Sequence, residues 1–238
     1  MELSGKNAVI TGASKGIGRS IALTLARAGV NVAIAARSAD KLESLAKEVR
    51  ELGVKAHVFV GDMSSETDII ALIKQTEQEF GGIDILINNA GLGHFAPVAE
   101  LSTAHWDEMF NLNVRGLFIA TREALPWLRK ASESAVINIA SLASKNSFPS
   151  GGGYAATKHA VLGFSRCLML EERKNGVRVL AICPGSVNTE FALPRRGEDD
   201  PKNARILQSE DVSDCVLAML KLPQNAMLSE IDLRPTNP

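Results

Sequence analysis

Short apolar runs alternate with longer segments of helical periodicity along the chain, and this alternation limits the fold more than any other feature. Six runs are rich in β-branched residues and too short to be buried helices, which is typical of strands. They are residues 7–11, 31–36, 56–60, 83–87, 135–140 and 177–182. The segments with helical spacing are residues 16–28, 40–52, 66–80, 103–130 and 154–174. Continuous apolar strands separated by helices indicate a doubly wound parallel sheet with helices on both faces.

The length of the chain and one long irregular stretch set the expected domain organisation. With 238 residues, 45% of them hydrophobic, the chain can bury one large core, so we expect a single domain over residues 1–238. Residues 184–208 interrupt the alternation with three prolines, the pair Arg195 and Arg196, and an acidic cluster. Since loops of this length are often functional, we interpret the stretch as a lid over the strand ends. The alternative is a solvated surface insertion.

The charge balance and the cysteines argue against several classes of partner. There are 26 basic and 27 acidic residues, so no overall field favours nucleic acid or an acidic membrane surface. The chain opens directly into its first strand, and no stretch approaches the ~20 apolar residues that span a bilayer. The three cysteines are too far apart for a disulfide framework, which fits a reducing compartment. We therefore expect a cytoplasmic protein without membrane or nucleic-acid partners.

The histidines give no sign of a metal site. His57, His94, His105 and His159 are scattered and lack the paired spacing of metal ligands, so we predict no metal. His94 follows the fourth strand, where it either lines a cleft or is simply exposed.

Three glycines lie in the turn between the first strand and the first helix. The stretch reads Thr11-Gly12-Ala13-Ser14-Lys15-Gly16-Ile17-Gly18. Missing Cβ atoms let the backbone turn sharply and let a pyrophosphate approach the unpaired N–H groups at the positive end of the helix. This placement predicts a dinucleotide site, although glycines in turns are often only structural.

Basic side chains near this turn favour NADP(H) as the dinucleotide. The second strand ends Ala35-Ala36-Arg37-Ser38, with no carboxylate to hold a ribose 2′-hydroxyl. Arg37, helped by Lys15, is suited to pair with a 2′-phosphate. The alternative is two solvated surface cations.

The turns after the third and fourth strands are the predicted site of the adenosine part of the cofactor. Asp62 and Met63 follow the third strand, and Asn89, Ala90 and Gly91 follow the fourth. Asp62 is a candidate acceptor for the adenine amino group, and small residues let backbone pass close to the cofactor. Each motif taken alone is equally compatible with ordinary turn residues.

Four polar side chains are the candidate catalytic residues. Tyr154 and Lys158 are one helical turn apart, so an ammonium faces a phenol and favours proton exchange by Tyr154. Ser141 follows the fifth strand and is placed to donate to a substrate oxygen as negative charge grows on it. Asn113 is a poor helix former inside a long helix, which predicts a local distortion with its backbone holding a water. The alternatives are a solvated helix face for the pair and a solvent-facing Asn113.

Taken together and in order, these motifs resemble the classical short-chain dehydrogenase/reductase family from about residue 3 to residue 189. The resemblance implies a single-domain Rossmann fold with a seven-stranded parallel sheet, and a tetrad of Asn113, Ser141, Tyr154 and Lys158. It implies that Lys158 also binds the nicotinamide ribose and passes protons through a water held by Asn113. It further implies a homo-oligomer, a dimer or a tetramer. Residues implied to border the nicotinamide are Pro184, Gly185, Val187 and Thr189.

The activity expected from this resemblance is NADPH-dependent reduction of a ketone or aldehyde, reversible to alcohol oxidation. One alternative is an NAD-linked alcohol or 3-hydroxy acid dehydrogenase, and another is a catalytically silent NADP(H)-sensing protein. The last ten residues, 229–238, resemble the branch with bacterial 3-hydroxy acid and serine dehydrogenases and broad ketone reductases. We expect specificity to lie in residues 92–99, 142–153 and 191–208.

Overall fold

A seven-stranded, entirely parallel sheet forms the centre of the chain in a computed structural model, which describes residues 1–191 and 200–236. The strands are β1 (Asn7–Thr11), β2 (Asn31–Ala36), β3 (Ala56–Val60), β4 (Ile85–Asn88), β5 (Ser134–Ile139), β6 (Val177–Pro184) and β7 (Glu230–Leu233). They lie in the order β3-β2-β1-β4-β5-β6-β7. The direction of strand addition therefore reverses between β1 and β4, and a crevice opens there at the carboxyl edge of the sheet.

Helices connect the strands. They are α1 (Gly16–Arg27), α2 (Ala39–Glu51), α3 (Glu66–Phe80), α4 (Thr103–Phe110), α5 (Leu117–Leu128), α6 (Gly152–Glu172) and α7 (Ser209–Lys221). A π-helical turn over Asn111–Gly116 joins α4 to α5. Within the described residues, no helix is both long enough and apolar enough to cross a bilayer.

The core lies on both faces of the sheet because successive strand residues point to opposite faces. In β1, Ala8 and Ile10 belong to the apolar cluster shared with α1 and α2, whereas Val9 belongs to the cluster shared with α3 and α5. All three are fully buried. Burial on both faces explains why the strands read as unbroken apolar runs.

The predicted fold class is confirmed, with three differences in detail. The predicted helix over residues 103–130 is two α-helices separated by the π-helical turn. Helix α7 lies beyond the last strand that the sequence pattern predicted, and β7 is the seventh strand that the resemblance implied. The predicted lid of residues 184–208 is irregular only in part, because Pro184 ends β6 and Val187 forms a bridge with Leu207. Residues 192–199, including Arg195 and Arg196, lie outside the described residues.

Candidate active site

The glycine turn after β1 packs directly on the turn after β4. Gly12 has a φ of +67°, and a Cβ there would lie 2.8 Å from Cα of Ala90. The side chain of Asn89 donates to the carbonyl oxygens of Thr11 and Gly12, both at 3.0 Å. A Cβ on Gly18 would collide with the same Asn89 amide. Asn89 therefore fixes the turn at the switch point of the sheet, and only glycine fits its two closest positions.

Helix α1 begins at the end of this turn without a capping side chain. Its first turn holds no acidic residue, and the side chain of Lys15, which precedes Gly16, makes no capping hydrogen bond. Gly16 has a φ of +54°, and a Cβ there would approach the Thr189 side chain at 3.2 Å. Free N–H groups with the positive end of the helix dipole suit the pyrophosphate of a dinucleotide.

A group of cations lies beside the glycine turn. Lys15 Nζ lies 2.6 Å from a carboxylate oxygen of Glu190, and Lys41 Nζ lies 3.3 Å from the other oxygen. The hydrogen bond from Lys15 is the main cause that holds the pKa of Glu190 below its usual range. Arg37 is exposed at the end of β2. The side chains of Lys15 and Lys41 thus already bind one anionic group, supplied by the segment after β6.

Asp62 and Met63, after β3, have different surroundings. The Asp62 carboxylate accepts from the backbone N–H and the hydroxyl of Ser64, each at 2.9 Å. The backbone hydrogen bond from Ser64 is the main cause that lowers the Asp62 pKa, and the nearby charge of Arg37 adds to it. Met63 is buried in the apolar cluster between the sheet and α3. Asp62 is therefore a fixed carboxylate at the edge, whereas the Met63 side chain is part of the core.

Lys158 is buried beneath the ring of Tyr154 at the start of α6. Its Nζ lies 5.8 Å from the centroid of the tyrosine ring and donates to the carbonyl oxygen of Ile139 at 2.9 Å. Lys158 is 6% exposed, and burial lowers its pKa to about 8. A Cβ on Gly91 would lie 3.8 Å from Nζ, so the turn after β4 also borders the ammonium. The arrangement places a buried ammonium between a phenol and the predicted cofactor turn.

Asn113 lies in the π-helical turn and is 2% exposed. Its side-chain amide donates to the carbonyl of Leu92 at 2.8 Å and to the hydroxyl of Thr157 at 3.1 Å. Its side-chain oxygen accepts from the backbone N–H of Leu92 at 2.8 Å. The predicted helix distortion at this residue is confirmed, and the alternative of a solvent-facing Asn113 is wrong. Asn113 joins the loop after β4 to α6.

Ser141 and the segment after β6 complete the carboxyl edge. Ser141 precedes a single 3₁₀ turn, and its hydroxyl accepts from the backbone N–H of Ala143 at 3.1 Å. Gly185 hydrogen-bonds β7 through its N–H, and a Cβ there would lie 3.2 Å from the Leu142 side chain. Val187 is buried and Thr189 lies against the glycine turn. The segment 184–189 therefore runs from the turn after Ser141 to the turn before α1.

Comparison with known proteins decides the family. The short chain dehydrogenase model matches residues 6–200. The chain belongs to this family. An uncharacterised oxidoreductase of Staphylococcus aureus is 35% identical to it over 233 residues, which cover 98% of each protein. A glycine betaine reductase of Emericella nidulans is 34% identical over 98% of the chain, but the chain spans only 19% of that protein's length.

Solved structures of other proteins match this short-chain dehydrogenase over nearly its whole length. An alcohol dehydrogenase from the archaeon Thermococcus sibiricus, complexed with 5-hydroxy-NADP, is 35% identical with a TM-score of 0.90, and the match covers 97% of both chains. A metagenomic short-chain oxidoreductase in complex with NADP is 31% identical with a TM-score of 0.87 over the full length of both chains. The family and the Rossmann fold are thus shown, and both of these relatives bind an NADP-type cofactor.

Several residues of this short-chain dehydrogenase at the candidate site were not predicted from the sequence. Thr157 holds Asn113, and Lys41 and Glu190 extend the cation group around Lys15. Lys41 lies on α2 whereas Arg37 precedes that helix, so no helical spacing links the two cations. Thr157 and Glu190 act across loops far apart in sequence, which no local pattern indicates. His94, which follows β4, contacts Glu108 at 2.8 Å and stacks on His105.

Among residues 1–191 and 200–236, which the structure describes, no group of three or more His, Cys, Asp or Glu side chains has the arrangement of a metal site.

Proposed function

We propose that this short-chain dehydrogenase reduces a ketone or aldehyde with NADPH, and that Tyr154 is the proton donor. The observation that carries the proposal is the buried ammonium of Lys158 beneath the Tyr154 ring, beside the turn after β4. A surface lysine would be solvated, whereas this one is held at the carboxyl edge of the sheet, where open parallel sheets bind ligands.

In the proposed reaction each catalytic side chain handles a proton or a developing charge. When bound, NADPH supplies the hydride that reduces the carbonyl carbon. Tyr154 gives its hydroxyl proton to the substrate oxygen, and the ammonium of Lys158 stabilises the phenolate that remains. The hydroxyl of Ser141 donates to the same substrate oxygen, which it binds more tightly as negative charge grows there. In alcohol oxidation Tyr154 acts as the base instead.

Asn113 and Lys158 are proposed to return the proton to Tyr154 from solvent. The side chain of Asn113 is committed to Leu92 and Thr157, so its contribution to a relay would come from the widened backbone of the π-helical turn holding a water. Lys158 is proposed to bind the nicotinamide ribose as well. Its pKa of about 8 supports a role in proton transfer near neutral pH.

The preference for NADP(H) rests on the group of cations. Lys15, Arg37 and Lys41 surround the place expected for the adenosine ribose, and β2 ends without a carboxylate. Glu190 binds both of these lysines, so it neutralises part of the positive charge that would bind a 2′-phosphate. The NADP-type cofactors of the two solved relatives are consistent with this proposal.

The remaining predicted binding residues are assigned by position. Gly12, Ser14, Gly16, Ile17 and Gly18 would face the pyrophosphate. Asp62, Met63, Asn89, Ala90 and Gly91 would border the adenosine, the Met63 contribution being through its backbone because its side chain is in the core. Pro184, Gly185, Val187 and Thr189 would border the nicotinamide.

We also propose that the chain forms a homo-oligomer and that a lid covers the strand ends. Exposed apolar side chains on α4, α5 and α6 support a homodimer or homotetramer, and they include Trp106, Phe118 and Leu170 at 40%, 44% and 58% exposure. A lid over residues 184–208 is proposed for the segment that follows β6, as part of a single catalytic domain over residues 1–238.

The proposal is tested by NADPH and NADH consumption over ketones, β-keto esters, diketones, sugars and quinones. We expect NADPH to be preferred. Arg37→Ala should raise the KM for NADPH about tenfold or more, since a hydrogen bond to a charged group contributes about 1.5–3 kcal/mol, and leave NADH nearly unchanged. Arg27→Ala, in the last turn of α1 at the opposite end of that helix, is the control.

Two other outcomes support the alternatives. Equal use of NADH, with no effect of Arg37→Ala, would indicate an NAD-linked alcohol or 3-hydroxy acid dehydrogenase. Tight NADPH binding without turnover of any compound would indicate a catalytically silent NADP(H)-sensing protein.

A further inference from the structure

Three phenylalanines from three different loops form a cluster at the ring of Tyr154, which two of them contact directly. Phe95 follows β4, Phe148 follows β5 and Phe191 follows β6. The ring centroids of Phe95 and Phe191 lie 5.3 and 5.8 Å from that of Tyr154, and 6.2 Å from each other. Phe148 lies beside Phe95 at 6.1 Å. A substrate that reaches Tyr154 on the side of these loops therefore contacts aromatic rings.

The aromatic rings remain partly open to solvent. Phe148 and Phe191 are each 39% exposed, which is costly for side chains of this size unless something apolar covers them. Gly93 keeps the cluster close, because a Cβ there would lie 2.7 Å from the Phe95 ring and 2.9 Å from the Phe191 ring. A Cβ on Gly151 would likewise collide with the Phe148 ring. The glycines allow the rings to converge on Tyr154.

Charge is already neutralised in the described parts of these loops. Residues 92–99, 142–153 and 185–191 contain three charged or imidazole side chains, and each has a partner. His94 contacts Glu108 at 2.8 Å, Lys145 pairs with Asp232 at 2.6 Å, and Glu190 pairs with Lys15 at 2.6 Å. No cation in these described ranges is left to bind a substrate carboxylate.

We propose that the substrate carbonyl carries an uncharged, apolar and preferably aryl group, which Phe95 and Phe191 bind and Phe148 covers from outside. This inference rests on the proposed reductase function and adds the substrate class. When the substrate oxygen lies at Tyr154, the groups on the carbonyl carbon lie against these rings. An apolar group gains by burial and an aryl group by ring packing, whereas a carboxylate would lose hydration without a partner among the described residues of these loops.

The test compares kcat/KM with NADPH for two matched pairs of carbonyl compounds. The first pair, 1-phenyl-1,2-propanedione and 2,3-butanedione, differs by a phenyl in place of a methyl. The second pair, methyl benzoylformate and benzoylformate, differs by an ester in place of a carboxylate. We expect the phenyl diketone and the ester to be preferred by about tenfold or more, because a phenyl group is buried in one case and a charge is desolvated in the other.

Two leucine variants assign the preference to the rings. Phe95→Leu and Phe191→Leu keep apolar bulk but remove the ring, so each should lower the phenyl-to-methyl ratio of kcat/KM about threefold or more. Phe80→Leu is the matched control, since Phe80 ends α3 and its carbonyl binds the Asn7 side chain at the amino end of β1. It should leave the ratio at the wild-type value.

The outcomes separate this inference from the function on which it rests. Equal rates within both pairs, a preference for benzoylformate, or a ratio indifferent to both leucine variants would overturn the aryl pocket while leaving the reductase intact. Failure of NADPH to reduce any of the four compounds would overturn the aryl pocket, and the reductase function would then be tested by the wider panel of carbonyl compounds. Reduction that is unaffected by Tyr154→Phe would overturn the proposed function and this inference with it.

Discussion

The buried ammonium of Lys158 lowers the stability of the folded protein. It is 6% exposed, its Nζ has the carbonyl oxygen of Ile139 as hydrogen-bond acceptor, and burial lowers its pKa from 10.5 to about 8. Desolvation is the main cause of this shift, so the folded chain holds the ammonium less well than water does. A group that costs stability at neutral pH and borders the candidate cofactor turn is best explained by a role in the reaction.

Replacing this lysine should stabilise the cofactor-free protein. Between pH 8 and 10.5 the unfolded chain binds the lysine proton and the folded chain does not, so stability rises with pH there and the cost is fully present below pH 8. The shift corresponds to about 3 kcal/mol, of which about 1 kcal/mol is offset by the lost hydrogen bond. We expect Lys158→Met to be about 2 kcal/mol more stable than wild type at pH 7, measured by urea unfolding.

The pH dependence makes this prediction specific. The gain in Lys158→Met should shrink as the pH is raised from 8 toward 10.5. Lys174→Met, at an exposed lysine just after α6, serves as the control and should change stability little at either pH. A variant less stable than wild type at pH 7, or a gain that does not change with pH, would contradict the account of Lys158.

At the scale of elements, the π-helical turn between α4 and α5 depends on a close approach between two loops. Gly116 ends this turn, and a Cβ there would collide with the carbonyl oxygen of Met63 after β3. The turn also carries Asn113, whose side chain joins Leu92 to Thr157. The same element therefore fixes the helix spacing and the position of a proposed catalytic residue.

A methyl group at Gly116 should be destabilising although alanine is the better helix former. Gly116→Ala is expected to lower the free energy of unfolding by about 1–3 kcal/mol, because the clash is with backbone. Gly163→Ala on α6 is the matched control, since a Cβ there meets nothing within 4 Å. That change should stabilise by about 0.5–1 kcal/mol. Equal effects of the two substitutions in denaturant unfolding would refute this reading of the turn.

Elements with strong local patterns were predictable from the sequence, and those defined by tertiary contact were not. The runs that became β1, β2 and β3 have the predicted bounds, because strands buried on both faces must be apolar throughout. The helix break at Asn113 was predicted from one unfavourable residue. The exact form of the break was not predicted, because it depends on the close approach of Gly116 to the Met63 carbonyl, and these residues are 53 positions apart in the chain. Strand β7 is short and half-buried, so its pattern is weak.

At the scale of the whole molecule, Glu190 joins the two halves of the sheet. It follows β6, yet its carboxylate contacts Lys15 after β1 and Lys41 on α2. This carboxylate binds two of the cations that, under the proposed function, would pair with the 2′-phosphate of NADPH.

Removing this charge should improve NADPH binding. We expect Glu190→Gln to lower the Kd for NADPH about fivefold at most, because exposed ion pairs contribute up to about 1 kcal/mol, and to leave the Kd for NADH unchanged. Titration calorimetry with both cofactors measures the difference, and Glu79→Gln near the end of α3 is the control. Weaker NADPH binding in Glu190→Gln would mean that Glu190 supports the cofactor site instead of competing with it.

Contacts between residues far apart in the chain also limited which residues of the candidate site could be predicted from the sequence. The candidate catalytic residues were identifiable from local pattern: Ser141 follows a strand, and Tyr154 and Lys158 share one helix face. Asn113 is a poor helix former inside a predicted helix. The phenylalanine cluster and Glu190 were not identifiable in this way, because their members come from loops after different strands and meet only when the sheet is assembled.

Tyr154 is proposed to give the proton in an NADPH-dependent reduction. The most direct test of this role is single-turnover NADPH oxidation with Tyr154→Phe beside wild type. We predict that the variant binds NADPH with unchanged Kd and keeps its fold, and that its rate of carbonyl reduction falls by about 10²–10⁴-fold, the usual contribution of a positioned acid. A variant that reduces the same carbonyl at the wild-type rate would contradict the account.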